Sequence, residues 1–214
     1  MNIIQTVAIS ALPIIFAITL HEAAHGYAAR HFGDPTAWKL GRISINPIRH
    51  IDLMGTIIVP GMILLLSGGG MLFGWAKPVP VDFGKLRRPK QDMLWVAAAG
   101  PAANLFMALG WALLFKAVVS APPTLYSQAL LEMAKVGIGI NGVLMLLNLL
   151  PLPPLDGGRI MVSLLPPRAA WQFSKLERWG LPILLALLFF GVLNRILGPL
   201  LQVYFSLLST LFGF

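Results

Sequence analysis

A single charged side chain, Glu22, interrupts a long apolar stretch near the start of the chain, and His21 and His25 flank it. Between residues 3 and 29 there is no other Asp, Glu, Lys or Arg. A carboxylate and two imidazoles are costly to place in hydrocarbon, so within a membrane span they mark a functional site by default. We therefore expect a membrane helix built around a polar cluster rather than a simple anchor.

The spacing of these three residues is typical of a metal site. In a helix, residues four positions apart share one face, so His21 and His25 can bind the same ion while Glu22 lies beside it. The chain contains no cysteine, which excludes cysteine-bound zinc, so any further ligand must be a histidine or a carboxylate. A zinc hydrolase that works within the membrane is the first interpretation of this pattern.

The composition agrees with a membrane protein. Of the 214 residues, 57% are hydrophobic and 11% are charged, and the mean hydropathy is +0.79. Apolar stretches of about 18 or more residues, the length that a bilayer requires, recur along the chain. The net charge of +8 does not indicate nucleic-acid binding, because lysine and arginine in the loops of a polytopic protein record orientation and contact anionic lipid.

We predict an all-α polytopic membrane protein with about five to six transmembrane helices. The expected spans are 3–29, 93–119, 133–150, 179–194 and 196–214. Residues 53–73 form a further apolar stretch, but Pro60, Gly61 and the glycines of 67–70 interrupt it. Such a segment suits a re-entrant hairpin, whose irregular backbone is tolerated where protein or a wet cavity covers it.

The distribution of basic residues favours the hairpin. If residues 53–73 cross the membrane, lysine and arginine divide almost evenly between its two sides. If these residues enter and return, all but three of the sixteen basic residues lie on one side, which is then the cytoplasmic side; the three are Lys116, Lys135 and Arg195. The expected topology has the N-terminus outside, the C-terminus inside and five full crossings of the plasma membrane.

A catalytic zinc site usually has three protein ligands, so one ligand must come from elsewhere in the chain. Most of the eight acidic residues lie in basic loops or at the ends of spans. Asp156 differs, because prolines end the preceding helix, and Gly157 and Gly158 let the backbone turn sharply beside its carboxylate. Asp156 can reach the histidines only if the span before it runs parallel to the first, and the predicted hairpin topology meets that condition.

Three motifs, in this order, resemble those of the site-2 protease family of intramembrane zinc metalloproteases, in its compact prokaryotic form without a PDZ or CBS domain. They are His21-Glu22-x-x-His25, Ala99-Gly100-Pro101-x-x-Asn104, and Asn148-x-x-Pro151 leading into Leu155-Asp156-Gly157. Residues 74–81 also resemble the stretch that precedes the Gly-Pro helix in this group. The resemblance covers residues 1 to about 165, and the combination is highly specific.

The resemblance implies a zinc endopeptidase that cleaves membrane-embedded substrates, with one zinc ion per chain bound by His21, His25 and Asp156. Zinc would activate a water molecule, Glu22 would be the general base, and a polar cavity would open toward the cytoplasmic side. Two other interpretations stay open. One is a zinc-binding but inactive scaffold for transmembrane segments, and the other is a membrane metal transporter, which would need more than the one ligand cluster that is visible.

Two asparagines in predicted helices, Asn104 and Asn148, are candidates for binding substrate or orienting the site, with hydrogen bonding between helices as the equal alternative. Residues 74–81 alternate and contain prolines, so they are a candidate edge strand for an unwound substrate peptide. We divide the chain into a metalloprotease core, residues 1–165, and a C-terminal pair of membrane helices, residues 166–214. The expected partners are membrane proteins and the lipid bilayer, not nucleic acid.

Overall fold

Helices form nearly all of the regular structure in the computed structural model, which describes residues 3–66 and 74–213. The α-helices of these ranges are α1 (Ile3–His31), α2 (Thr36–Lys39), α3 (Val59–Leu66), α4 (Pro89–Ser120), α5 (Ser127–Asn148), α6 (Asp156–Leu164), α7 (Pro167–Ser174), α8 (Glu177–Phe189) and α9 (Val192–Phe212). Two 3-10 turns, Pro47–His50 and Phe83–Lys85, and a π-helical turn, Leu53–Ile58, shape the connection between α1 and α4. No strand occurs in the described ranges, so the predicted all-α class is confirmed.

The core of the molecule is a bundle of α1, α4 and α5, in which α4 packs against both other helices. α1 and α4 are antiparallel. The carbonyl of Ala17 accepts a hydrogen bond from Asn104, whereas His25, two turns later on α1, bonds to the carbonyl of Val96, two turns earlier on α4. The connection between α1 and α4 therefore begins and ends at the same end of the bundle.

α4 and α5 are also antiparallel. Asn104 donates to the side chain of Asn141, whereas Trp111, further along α4, packs against Gly137, which comes earlier on α5. Two successive reversals make α1 and α5 parallel. The chain thus leaves α5 at the same end of the bundle at which it leaves α1, which is the arrangement that the sequence required for Asp156 to reach the histidines.

The start of α4 is stabilised by its own first turn. Pro89 occupies the first helical position, where the missing N–H has no partner to lose. Asp92 reaches back, and its Oδ2 accepts a hydrogen bond from the backbone N–H of Arg88 at 2.7 Å, which brings negative charge to the positive end of the helix dipole. The helix continues through Pro101, so Gly100 lies in mid-helix, facing α1.

The last helix, α9, packs against α4 and α5. The hydroxyl of Tyr204 donates to the carbonyl of Ile138 on α5 at 2.8 Å. A buried cluster between α4, α5 and α9 surrounds this bond and comprises Ala108, Ala112, Ile138, Tyr204, Leu208 and Phe212. Because lipid chains are as apolar as these side chains, close packing and the hydrogen bond stabilise the contact more than hydrophobic burial does.

Four helical segments in the described part of the chain are long and apolar enough to cross a membrane: Ala8–His31 of α1, and α4, α5 and α9. The 22 residues of α5 extend about 33 Å at 1.5 Å per residue, against a hydrocarbon core of about 30 Å. The predicted span 179–194 overlaps α8 and the start of α9, and the 13 residues of α8 extend only about 20 Å. The fifth membrane crossing that the sequence suggested stays a prediction.

The predicted re-entrant hairpin, residues 53–73, is described only in its first part. The turn Leu53–Ile58 leads directly into α3, and the carboxylate of Asp52 caps this arm by accepting a hydrogen bond from the N–H of Gly55 at 2.7 Å. Pro60 and Gly61 lie within α3, so the chain does not turn at these two residues. Residues 67–73, which contain the other predicted interruption, lie outside the described residues. The hairpin stays a prediction, and the antiparallel α1 and α4 agree with a connection that makes no net crossing.

Candidate metal centre

Three buried side chains converge between the bundle and α6. They are His21 and His25 on α1 and Asp156, the first residue of α6. Each histidine Nε2 lies 3.2 Å from Asp156 Oδ2, and the two Nε2 atoms lie 3.1 Å from each other. Because one helical turn separates the histidines, both rings face the same point. The structure thus brings together the three residues that the sequence predicted as metal ligands.

Asp156 reaches the histidines because the chain turns tightly after α5. Gly157 and Gly158 pack directly against the backbone of residues 149–153. A Cβ atom on Gly158 would lie 2.7 Å from Cα of Pro153, a distance that folded proteins do not tolerate. The two glycines are therefore required by the close approach of two backbone segments, as their position beside Asp156 suggested.

The second ring nitrogen of each histidine is held by an oxygen on α4. His25 Nδ1 donates to the backbone carbonyl of Val96 at 2.7 Å, which leaves Nε2 of the neutral ring without a proton. His21 Nδ1 lies 2.5 Å from Asn104 Oδ1. Since Asn104 Nδ2 donates to the carbonyl of Ala17 at 3.2 Å, the amide oxygen faces His21, whose Nδ1 is the donor. Both Nε2 lone pairs are therefore free to bind an ion.

Asn141 on α5 extends this network, although the sequence did not single it out as a site residue. Its side chain is fully buried, its Oδ1 accepts from Asn104 Nδ2 at 2.9 Å, and its Nδ2 donates to the carbonyl of Gly137 at 2.8 Å. A continuous row of hydrogen bonds thus connects α5 to His21. A partial signal was present, because Asn141 lies in a predicted span, but it is not part of the motifs that contain Asn104 and Asn148.

Asn148, the other asparagine predicted for the site, bonds within its own helix. Its Nδ2 donates to the carbonyl of Leu144, one turn earlier, at 3.0 Å. Within the residues that the structure describes, it has no hydrogen bond to either histidine or to Asp156. Of the two predicted asparagines, the structure therefore brings only Asn104 to the metal centre.

The geometry of the cluster fits a bound metal ion. Asp156 Oδ2 is buried and accepts no hydrogen bond, and the Nε2 atoms beside it carry lone pairs because the opposite ring nitrogens are the donors. Three lone-pair atoms this close repel one another unless a cation lies between them. Two imidazoles and a carboxylate are the ligands that catalytic zinc takes in many hydrolases. The residues present therefore fit zinc.

Gly100 gives the histidine rings the space that they occupy between α1 and α4. A Cβ atom on Gly100 would lie 2.6 Å from His21 Nε2 and closer still to His25 Nε2. The rings cannot move away without losing the hydrogen bonds of their Nδ1 atoms. A larger residue at position 100 would therefore disturb both histidines at once.

Glu22 contacts the extended segment of residues 74–82, here called the strap. Its Oε2 accepts a hydrogen bond from the backbone N–H of Val79 at 2.8 Å. Val79 is only 6% exposed, and the lack of a side chain on Gly26, one turn after Glu22, makes room for it, since a Cβ there would lie 3.1 Å from Val79 Cγ1. The strap is therefore seated on the helical face beside the carboxylate.

Arg42 fixes the strap in this position. Its Nη2 donates to the carbonyls of Lys77 at 3.1 Å and Pro78 at 3.3 Å, and the N–H of Lys77 donates to the carbonyl of His50 at 2.8 Å. The residues just before Val79 are thus held by side chain and backbone alike. The strap pairs with no strand in the described ranges, and its use as an edge strand for a substrate peptide stays a prediction.

Comparisons with known proteins also indicate a zinc metalloprotease. Residues 118–191, which include Asp156 and Asn141, match the family model of peptidase family M50. The chain is 38% identical over 194 residues to "Putative zinc metalloprotease YwhC" of Bacillus subtilis (strain 168), covering 89% of the chain and 84% of the relative. It is 29% identical over 185 residues to "Putative zinc metalloprotease Rip2" of Mycolicibacterium smegmatis, covering 85% of the chain and 66% of the relative.

A third relative, "Zinc metalloprotease MJ0392" of Methanocaldococcus jannaschii, is 23% identical over 186 residues, which cover 85% of the chain and 42% of that protein. No solved structure matches the chain. The similarity to the Bacillus relative extends over most of both proteins, and a buried pair of histidines with an aspartate lies between the bundle and α6. The chain therefore belongs to peptidase family M50, the site-2 protease family of zinc metallopeptidases.

Proposed function

We propose that this protein is an intramembrane endopeptidase that hydrolyses peptide bonds in or near the transmembrane segments of membrane proteins. The observation that carries the proposal is the convergence of Asp156 with His21 and His25 at 3.1–3.2 Å. Both histidines and Glu22 lie on a helix that is apolar enough to cross a membrane. Ionisable residues at such a position are explained by chemistry performed there and not by folding.

The three buried residues would hold one zinc ion per chain. Zinc bound there supplies a Lewis acid that polarises a peptide carbonyl and acidifies a water molecule to a pKa of about 7. Asn104 and Val96 keep the two imidazoles in the tautomer that presents Nε2, so the protein contributes a fixed orientation at this site.

Glu22 is the general base in this proposal. Because Oε2 is bonded to the N–H of Val79, Oε1 is the oxygen available to take a proton from the attacking water and deliver it to the leaving amine. The strap holds the carboxylate in one orientation while the proton moves. A substrate helix must unwind locally, since its amide groups are otherwise hydrogen-bonded to one another.

The proposed setting is a multi-pass protein of the plasma membrane with the site nearer its cytoplasmic side. Residues 1–165 form the catalytic core, and residues 166–214 contribute a C-terminal pair of membrane helices. A re-entrant hairpin at 53–73 keeps the basic connection between α1 and α4 on the cytoplasmic side, in agreement with the positive-inside rule. Water enters from that side.

The experiment is cleavage of labelled transmembrane peptides by the purified protein in lipid, with bound zinc measured on every sample. Glu22→Gln should retain zinc and lose at least about a hundredfold in cleavage rate, because only the proton acceptor is removed. Asp156→Ala should lose zinc and cleavage together. Zinc binding by the wild-type protein without cleavage of any peptide would favour the scaffold. A wild-type protein without zinc would refute the proposal.

A further inference from the structure

A cavity of about 540 Å³ opens on the connection between α1 and α4. The end of α2, the Pro47–His50 turn and the strap surround it. Four of its lining residues are cationic, namely Lys39, Arg42, Arg49 and Lys77, and no acidic residue lines it. Its volume lies within the range of about 300–1,000 Å³ that small-molecule sites have. The cavity is thus large enough for a ligand and is positively charged.

The four cations have no carboxylate within 4 Å in the described residues, although other basic residues of the chain do. Lys85, Arg88 and Lys135 each pair with an acidic residue three or four positions away. Arg42 and Arg49 instead donate to backbone carbonyls, which fixes the guanidinium groups without neutralising them. Like charges around one cavity repel each other and create a potential that attracts an anion.

The edge of the cavity is apolar and exposed. Leu40, Ile48 and Ile51 line it, with 63%, 71% and 46% of their surfaces exposed. The cavity follows α1 directly, in the most basic connection of the chain, which the charge distribution assigns to the cytoplasmic surface of the membrane. Apolar side chains next to fixed positive charge suit a lipid, whose phosphate and acyl chains are neighbours in the same way.

We propose that this cavity binds the phosphate group of an anionic phospholipid. Lys39 and Arg49 supply charge from one wall, and Lys77 and Arg42 supply it from the wall next to the strap. Because Arg42 also holds the carbonyls that precede Val79, a lipid bound there stabilises the strap against Glu22. The binding itself does not rest on the proposed proteolysis.

The test measures binding of short-chain phosphatidylglycerol, short-chain phosphatidylcholine and inorganic phosphate to the purified full chain in neutral detergent. Native mass spectrometry counts bound lipid, and the shift of thermal unfolding reports all three ligands. The variant is the double substitution Lys39→Gln with Arg49→Gln. Its matched control is Arg168→Gln with Arg178→Gln, which removes the same charge from exposed positions on α7 and α8.

We expect phosphatidylglycerol to bind at least about tenfold more tightly than phosphatidylcholine, and the Lys39/Arg49 variant to lose at least about tenfold of that affinity. The control variant should keep it. Equal binding of the two lipids, or equal losses in both variants, would overturn the proposal, since general surface charge would then explain the data. Inorganic phosphate that binds as tightly as phosphatidylglycerol would overturn the lipid assignment. Repeating the measurement with Glu22→Gln separates binding from proteolysis.

Discussion

The metal centre and the connection between α1 and α4 hold their polar groups in opposite ways. At the metal centre, buried side chains bond to one another in a row that crosses three helices, from His21 through Asn104 to Asn141. In the connection, Arg42 and Arg49 are attached to backbone carbonyls and keep their charge without a carboxylate partner. The first arrangement fixes each side chain in one orientation, whereas the second leaves positive charge that can bind a ligand.

The difference shows which part of the protein has side chains in fixed positions and which part has charged groups available to a ligand. A metal site requires its ligands to be fixed before the ion binds, and a fully bonded, buried network does this. The cationic cavity of the connection, as proposed, must instead admit a ligand. Glu22 belongs to both regions, because it lies on α1 but its carboxylate bonds to the strap. The following variants test whether the metal centre and the connection respond differently to substitution.

The largest effect is expected from added volume at the metal centre. Gly100→Ala places a methyl group against both histidine rings, so zinc affinity should fall by at least about a hundredfold and cleavage should be lost. Zinc content after dialysis against a weak chelator is the measurement. Gly110→Ala is the control, because a Cβ at this position of α4 meets no atom within 4 Å. A Gly100→Ala protein that retains zinc would show that the centre is not closely packed.

The second variant breaks the hydrogen-bonded row. Asn104→Ala removes the acceptor of His21 Nδ1 and the partner of Asn141, so zinc affinity should fall about 10- to 100-fold. Asn141→Ala should have a smaller effect in the same direction, because it acts only through Asn104. A chelator competition assay gives both values. Asn148→Ala serves as the control, since its amide bonds within its own helix, and an equal loss there would contradict this account.

The third variant loosens the strap without touching the metal centre. Arg42→Gln weakens the hold on the carbonyls of Lys77 and Pro78, so the N–H of Val79 should leave Glu22 part of the time. We expect the cleavage rate to fall about tenfold while zinc content stays unchanged. Arg168→Gln, an exposed arginine on α7, controls for the loss of charge. If zinc is lost together with activity, the strap and the metal centre are one unit.

The smallest effect is expected far from both regions. Tyr204→Phe removes the hydroxyl that bonds to the carbonyl of Ile138, which should lower the free energy of unfolding by about 1 kcal/mol. Zinc content and cleavage should stay at the wild-type level. Denaturation in mixed micelles measures the change, with the exposed Tyr126→Phe as control. A loss of activity in Tyr204→Phe would extend the functional region as far as α9.

The sequence predicted that His21, His25 and Asp156 would lie together, because this convergence follows from rules that act over short distances. The spacing of His21 and His25 places both on one helical face, and the glycines after Asp156 indicate the tight turn that the structure contains. The parallel arrangement of α1 and α5 followed from counting basic residues in the connections. Asn141 was missed, although it lies in a predicted span, because nothing in its neighbourhood distinguishes a structural amide from one bonded to the site.

The contacts of the strap could not be predicted in the same way. Nearly every residue has a backbone N–H. The residue type at position 79 therefore does not indicate that its N–H bonds to Glu22. The boundary between the last two helices was also misplaced. The break was expected at 195, but Gly191 adopts a left-handed conformation, with φ of 69°, and ends α8 there, while α9 continues through Pro199.

The parallel course of α1 and α5 also has a consequence for synthesis of the protein. The ribosome delivers α1 first, with both imidazoles and the carboxylate of Glu22, but Asp156 follows only after α4 and α5 have been made. A nascent chain with its first helices in the bilayer therefore lacks one of the three proposed ligands. The proposed metal centre can therefore form only after α5 and the turn that follows it have been made.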